Sequence, residues 1–84
     1  MYTREKFGAE LKEWVKTKQD VADIGHWAYS IYLDHIDDID MEFRHILITL
    51  NYMEDGPEFA LSYKRLDEIA DDLIAGKKNI NLDY

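Results

Sequence analysis

The chain has 84 residues, no cysteine, and eighteen acidic against ten basic side chains, a net charge of −8 at pH 7. That size predicts one domain around a single small core, and the lack of cysteine excludes a disulfide framework and a thiolate zinc site. No apolar run approaches a membrane span, and Met1 is followed by Tyr-Thr-Arg-Glu-Lys instead of an apolar leader, so the expectation is a soluble, cytoplasmic domain.

Helical periodicity runs along nearly the whole chain, with no convincing period-two alternation. From Thr3, a candidate N-cap, Phe7, Leu11, Trp14 and Val15 recur at the three-four spacing of one helix face, predicting a first helix to about Lys18. Asp20 caps a second, reaching about Ile36, with apolar stripes Val21, Ile24, Ala28, Ile31 and Ala22, Tyr29, Leu33, Ile36. Such a broad apolar surface predicts packing on more than one neighbour, and Gly25 supplies room for close helix approach. Asp38 or Asp40 starts a third helix, with Phe43, Ile46, Leu47, Leu50 and Met53 on one face, before Asp55-Gly56-Pro57 breaks the pattern. Ser62 caps the fourth, Leu61 and Leu66 take the two positions of a hydrophobic staple, and Gly76 ends the helix. Its core stripe is Leu66, Ile69, Ala70, Leu73 and Ile74. Four helices with short connections predict an all-α, antiparallel four-helix bundle over residues 1–76, with 77–84 as a loosely held C-terminal tail.

The charge is unevenly placed. Residues 1–18 carry five basic and three acidic side chains, and residues 59–84 carry four and five. Residues 19–58 carry ten acidic side chains against Arg44 alone, a local balance of minus nine. A field so concentrated either serves solubility or attracts a basic surface and raises the rate of association with it. At 100° per residue Asp20, Asp23, Ser30 and Asp34 form the polar stripe of the second helix, and Asp38 extends it if the helix runs that far.

Trp27 falls within this stripe and has two readings: an exposed aromatic anchor ringed by steering charge, or a ring folded down against the first helix as peripheral core. Met41, His45, Ile48 and Tyr52, flanked by Glu42, make an unusually apolar outer face on the third helix. That face is either a second buried seam or an exposed interaction patch. The acids of the fourth helix, Asp67, Glu68, Asp71 and Asp72, read as solvated surface.

Catalytic and metal chemistries find little support in the residues. A di-iron bundle needs two Glu-x-x-His pairs, and only Glu42 with His45 matches. The segment Leu33-Asp34-His35-Ile36-Asp37-Asp38-Ile39-Asp40 lacks the spaced oxygen ligands and turn glycine of an EF-hand loop, so its later aspartates read as helix caps. No phosphate-binding glycine loop or nucleophile elbow is present, and no basic stripe suits direct nucleic-acid binding. The expectation is a protein without enzymatic activity, metal or cofactor.

The stretch ILITLNYMEDGPEFALSYKRLDEIADDL, within residues 40–75, resembles the small acidic, all-helical immunity proteins that bacteria co-express with toxic nucleases. The resemblance is in particular to the colicin D immunity type and its relatives in contact-dependent inhibition systems. The likeness lies in architecture, acidity and helix-turn-helix pattern, and it transfers no residue roles. It implies a protein that covers the basic active site of a nuclease toxin with carboxylates placed where nucleic-acid phosphates would sit. The candidate partner-binding residues are Asp20, Asp23, Trp27, Asp34, Asp37, Asp38, Glu42 and Tyr52, and the expected partner is a basic protein. Two alternatives carry the same features: an acidic inhibitor or nucleic-acid mimic of phage origin, and a small helical module that self-associates, as a homodimer, through the third helix.

Overall fold

The computed structural model describes residues 2–56, 58, 60–77 and 80. Among them there are four α-helices and no strand: α1 (Arg4–Lys16), α2 (Val21–His35), α3 (Met41–Asn51) and α4 (Tyr63–Ile74), with a 3₁₀ turn at Tyr52–Glu54 extending α3.

Each helix begins at the residue whose side chain can satisfy an orphan amide. Thr3 accepts from the Lys6 N–H at 3.1 Å, Asp20 from Ala22 at 3.0 Å, Asp40 from Phe43 at 2.7 Å and Ser62 from Arg65 at 3.1 Å. The aspartate-rich segment of residues 33–40 is therefore a junction. His35 closes α2, Asp38 donates its amide to the His35 carbonyl at 2.8 Å, and Asp40 opens α3. At the far end of α4, the Gly76 amide bonds Leu73 and the Lys77 amide bonds Asp72, a Schellman closure with Gly76 at φ +76°. The same closure ends α1, but there Lys18 occupies the left-handed position, at φ 52°.

The core follows the apolar stripes. Phe7 and Leu11 of α1, Ile24 and Ala28 of α2, Phe43, Ile46, Leu47 and Leu50 of α3, and Leu66, Ile69, Ala70 and Leu73 of α4 are all buried. Tyr2 and Ile39, outside every stripe, are buried too, and Ile80 packs against the core. Two expected core positions correct outward: Ile74 and Leu33 are exposed, because each lies at the edge of its stripe where no further helix covers it.

The main contacts pair α1 with α4 and α2 with α3. Along the first pair they run in opposite senses: Arg4 reaches the Lys77 carbonyl, Lys12 reaches Asp67 and Asp71, and Tyr63 donates to the Gln19 carbonyl at 2.8 Å. Glycines set how closely both pairs approach. A Cβ on Gly8 would lie 2.8 Å from the Ala70 carbonyl oxygen and 2.9 Å from the Leu73 Cβ; one on Gly25 would lie 2.9 Å from the Leu50 carbonyl oxygen. The expected break after α3 is visible at Asp55 and Gly56, whereas Pro57 and residues 78, 79 and 81–84 of the expected tail lie outside the described residues.

Candidate partner-binding face

Aromatic packing decides the status of Trp27. Its ring lies against Phe7 with centroids 4.6 Å apart and planes 5° apart, and Trp14 stacks beside it at 5.3 Å. Phe7 meets Phe43 edge-on, and Phe43 leads through Tyr2 to His35, whose ring lies 4.5 Å from that of Tyr2. Trp27 is thus half-buried between α1 and α2, so of its two readings the ring folded against the first helix is the one the packing matches, and Trp27 is not the exposed centre of the acidic stripe. The physical reason is that it sits where the stripe borders the core. Rotation toward α1 removes a large apolar ring from water, worth about 1.5–3 kcal/mol for a fully buried side chain.

The α3 outer face resolves the other way. Met41 is 79% exposed and Tyr52 45% exposed; His45 is exposed and Ile48 half-buried. The buried-seam alternative is overturned, because α3 spends its core stripe on α2 and the interior, and no described element covers the opposite side.

The carboxylates fall into two groups at opposite ends of the α2–α3 pair. Asp34, Asp37, Asp38 and Glu42 surround the end where α2 turns into α3, with Asp38 outside the α2 stripe because the helix ends at His35. Asp20 and Asp23 lie at the start of α2, about 22 Å away along a fifteen-residue helix. That second end also holds Tyr52 and Glu54, since Glu54 lies 3.2 Å from His26 Nδ1 and Gly25 abuts Leu50. Asp20, Asp23, Asp34, Asp37, Asp38 and Glu42 are all exposed.

Their partners separate these groups from the acids of α4. On α4 every carboxylate has a cation: Lys12 holds Asp67 at 3.2 Å and also bonds Asp71, Arg65 meets Glu68 at 3.4 Å, and Lys77 meets Asp72 at 3.8 Å. Lys12 is correspondingly pushed above the usual lysine range by its hydrogen bonds to Asp71 and Asp67. By contrast, the carboxylates of Asp23, Asp34 and Asp37 have no ion pair or hydrogen bond among the described residues. The Asp38 carboxylate meets only His35 Nδ1 among the described residues, at 4.0 Å.

Arg4 is the basic residue that α1 lends to this half. Its side chain is 10% exposed, lies over the Phe43 ring at 5.7 Å, and contacts Asp40 at 3.0 Å and Glu42 at 3.6 Å. The Phe43 amide and the Arg4 guanidinium together hold the Asp40 carboxyl below the ordinary aspartate range. Arg44, the one basic side chain of residues 19–58, keeps its Nε buried with no hydrogen-bond partner among the described residues.

The role of Arg4 could not be read from the sequence, since Arg4 and Asp40 are 36 residues apart and no local spacing links them. The His26–Glu54 contact is equally tertiary.

No group of three or more histidine, aspartate or glutamate side chains among the described residues is arranged to hold a metal, and none of the helices there is long and apolar enough to cross a membrane. Glu42 and His45 both point outward, away from the core. A shallow cavity beside Trp14 is lined by Glu13, Thr17 and Gln19, with Gln19 Nε2 donating to Thr17 Oγ1 at 3.2 Å. Comparison of the chain with protein-family models, with curated proteins and with solved structures finds no match.

Proposed function

We propose that this protein is an immunity-type inhibitor that neutralises a nuclease toxin in the cytoplasm by covering the toxin's basic active site with the acidic α2–α3 half of the molecule. The observation that carries the reading is the contrast in neutralisation: α4 acids are paired within the fold, whereas Asp23, Asp34 and Asp37 are exposed and without an ion pair among the described residues. A nuclease site is basic because it holds phosphates, so a preformed negative face competes for it and accelerates encounter. In this role the chain is a binding protein with no chemistry of its own. An inhibitor of phage origin would use the same face against a different nucleic-acid-handling enzyme.

The test is purification of the tagged chain from its native host, followed by an activity assay of the co-eluting protein. The expected result is a basic nuclease whose cleavage of nucleic acid is abolished at equimolar ratio. Co-elution of a protein whose activity is unaffected would overturn the reading.

The exposed α3 face is the observation that favours self-association as a second reading. Charge opposes it, because a symmetric contact through α3 sets two segments of minus nine against each other.

A further inference from the structure

We propose that the outer face of α3 is the apolar anchor of the interface, and that it takes a lysine- or arginine-rich amphipathic helix of the partner. This rests on the acidic-face reading above and adds to it where the desolvated contact lies and what chemistry fills it. Met41, His45, Ile48 and Tyr52 stand at i, i+4, i+7 and i+11, one stripe along about 16 Å of α3 and the start of its 3₁₀ extension, the length of three turns of an opposing helix. The stripe lies opposite the buried Phe43, Ile46, Leu47 and Leu50, so it is not core left incompletely covered by a small movement of its own helix.

Its surroundings select the occupant. Exposed acids flank the stripe in the chain at both ends, Asp37, Asp38 and the Arg4-paired Glu42 around Met41 and the His26-paired Glu54 two residues after Tyr52, so a helix laid along the stripe is offered negative charge at each end of its apolar contact. Cations flanking an apolar side are complementary to that pattern, whereas anionic lipid, nucleic acid and a second copy of this chain are all repelled by it. Met41 is suited to the anchor because its unbranched, polarizable side chain adapts to the shape presented to it.

The test uses two synthetic fourteen-residue peptides of equal positive charge, titrated against the full chain. One carries leucines at i, i+3, i+4 and i+7 among lysines, and the other replaces each leucine with glutamine. The expected result is at least about tenfold tighter binding of the leucine peptide, with chemical-shift changes at the Met41 and Ile48 methyls. M41S/Y52S should weaken the leucine peptide about tenfold and leave the glutamine peptide unchanged. Should the double variant melt early, M41S alone decides, since that side chain is largely in water.

Equal affinity for the two peptides, or leucine-peptide binding insensitive to M41S, overturns the anchor. So does a dimer at low salt that protects Met41. The D34N/D37N/D38N variant reports separately on the acidic field: it should weaken both peptides, and if it weakens neither, the charge-based reading fails while the Met41 result still stands or falls by itself.

Discussion

At the scale of single residues, the packing around Trp27 and the strain at Lys18 make opposite predictions. Trp27→Ala removes a ring stacked on Phe7 and Trp14, and the vacated space cannot be refilled by either ring without moving α1. The expected loss is about 2–4 kcal/mol in urea unfolding, below the value for a fully buried tryptophan because the ring is half in water. Lys18→Gly relieves a left-handed backbone that favours glycine, at the cost of the ammonium 5.2 Å above the Tyr63 ring. A gain of up to about 1 kcal/mol follows, read as a rise in the unfolding midpoint.

Titration adds a signed expectation at the same scale. Asp40 is held below its ordinary value of 3.8, so its contribution is present above that value and is lost as pH falls below it through the folded-state pKa. Tyr2 is shifted the other way, raised by burial and by donating its hydroxyl to Glu10. Its contribution is complete below the ordinary value of 10.0 and is lost at higher pH, where the unfolded tyrosine ionises and the folded one resists. Tyr2→Phe should flatten the alkaline limb of the stability profile and leave the acid limb alone; an unchanged alkaline limb would show that the Tyr2 hydroxyl does not set it.

At the scale of elements, the helix pairs meet on glycine and are fastened at their ends by capping groups. Gly8→Ala presses a methyl against the Ala70 carbonyl and Leu73, both part of an opposing helix that cannot yield by a side-chain rotation. Overpacking of this kind costs about 1–3 kcal/mol, and at about 4–8 °C per kcal/mol for a domain of this size it is readily seen in a thermal melt. The sequence marks α1 to α4 clearly because their starts are chemical: Thr3, Asp20, Asp40 and Ser62 each offer an oxygen to an amide two or three residues on. Gly76 is legible at the end of α4 for a comparable local reason. Gly8 is not, since nothing in its own helix requires it and the constraint comes from α4.

For the whole molecule, the proposed function rests on how the exposed acids are distributed over the helices. The acids of α4 are paired within the fold, through Lys12, Arg65 and Lys77, while α2 and the turn after it leave the carboxylates of Asp23, Asp34 and Asp37 without an ion pair among the described residues. Replacing Asp34, Asp37 and Asp38 together by asparagine should slow association with the proposed basic partner and flatten its dependence on salt, with the dissociation rate little changed. Stopped-flow association at two ionic strengths checks this, and unchanged kinetics would remove that end of the α2–α3 pair from the interface. Trp27→Ala belongs to a different outcome: it lowers stability, and it alters dissociation only through the fold.

By itself the sequence determined what local chemistry determines: four helices, their caps, the apolar stripes that become the core, and the concentration of negative charge in residues 19–58. These follow from spacing along one helix and from side chains reaching backbone a turn away. Only the tertiary structure decided which border residues turn inward and which remain in water. Trp27 lies on a polar stripe yet is drawn against α1 by Phe7 and Trp14, while Met41 and Tyr52 lie on an apolar stripe yet remain exposed because no described helix covers that side of α3. The physical reason is that periodicity gives a residue's direction from its own helix axis, whereas burial depends on what other parts of the chain bring to that direction.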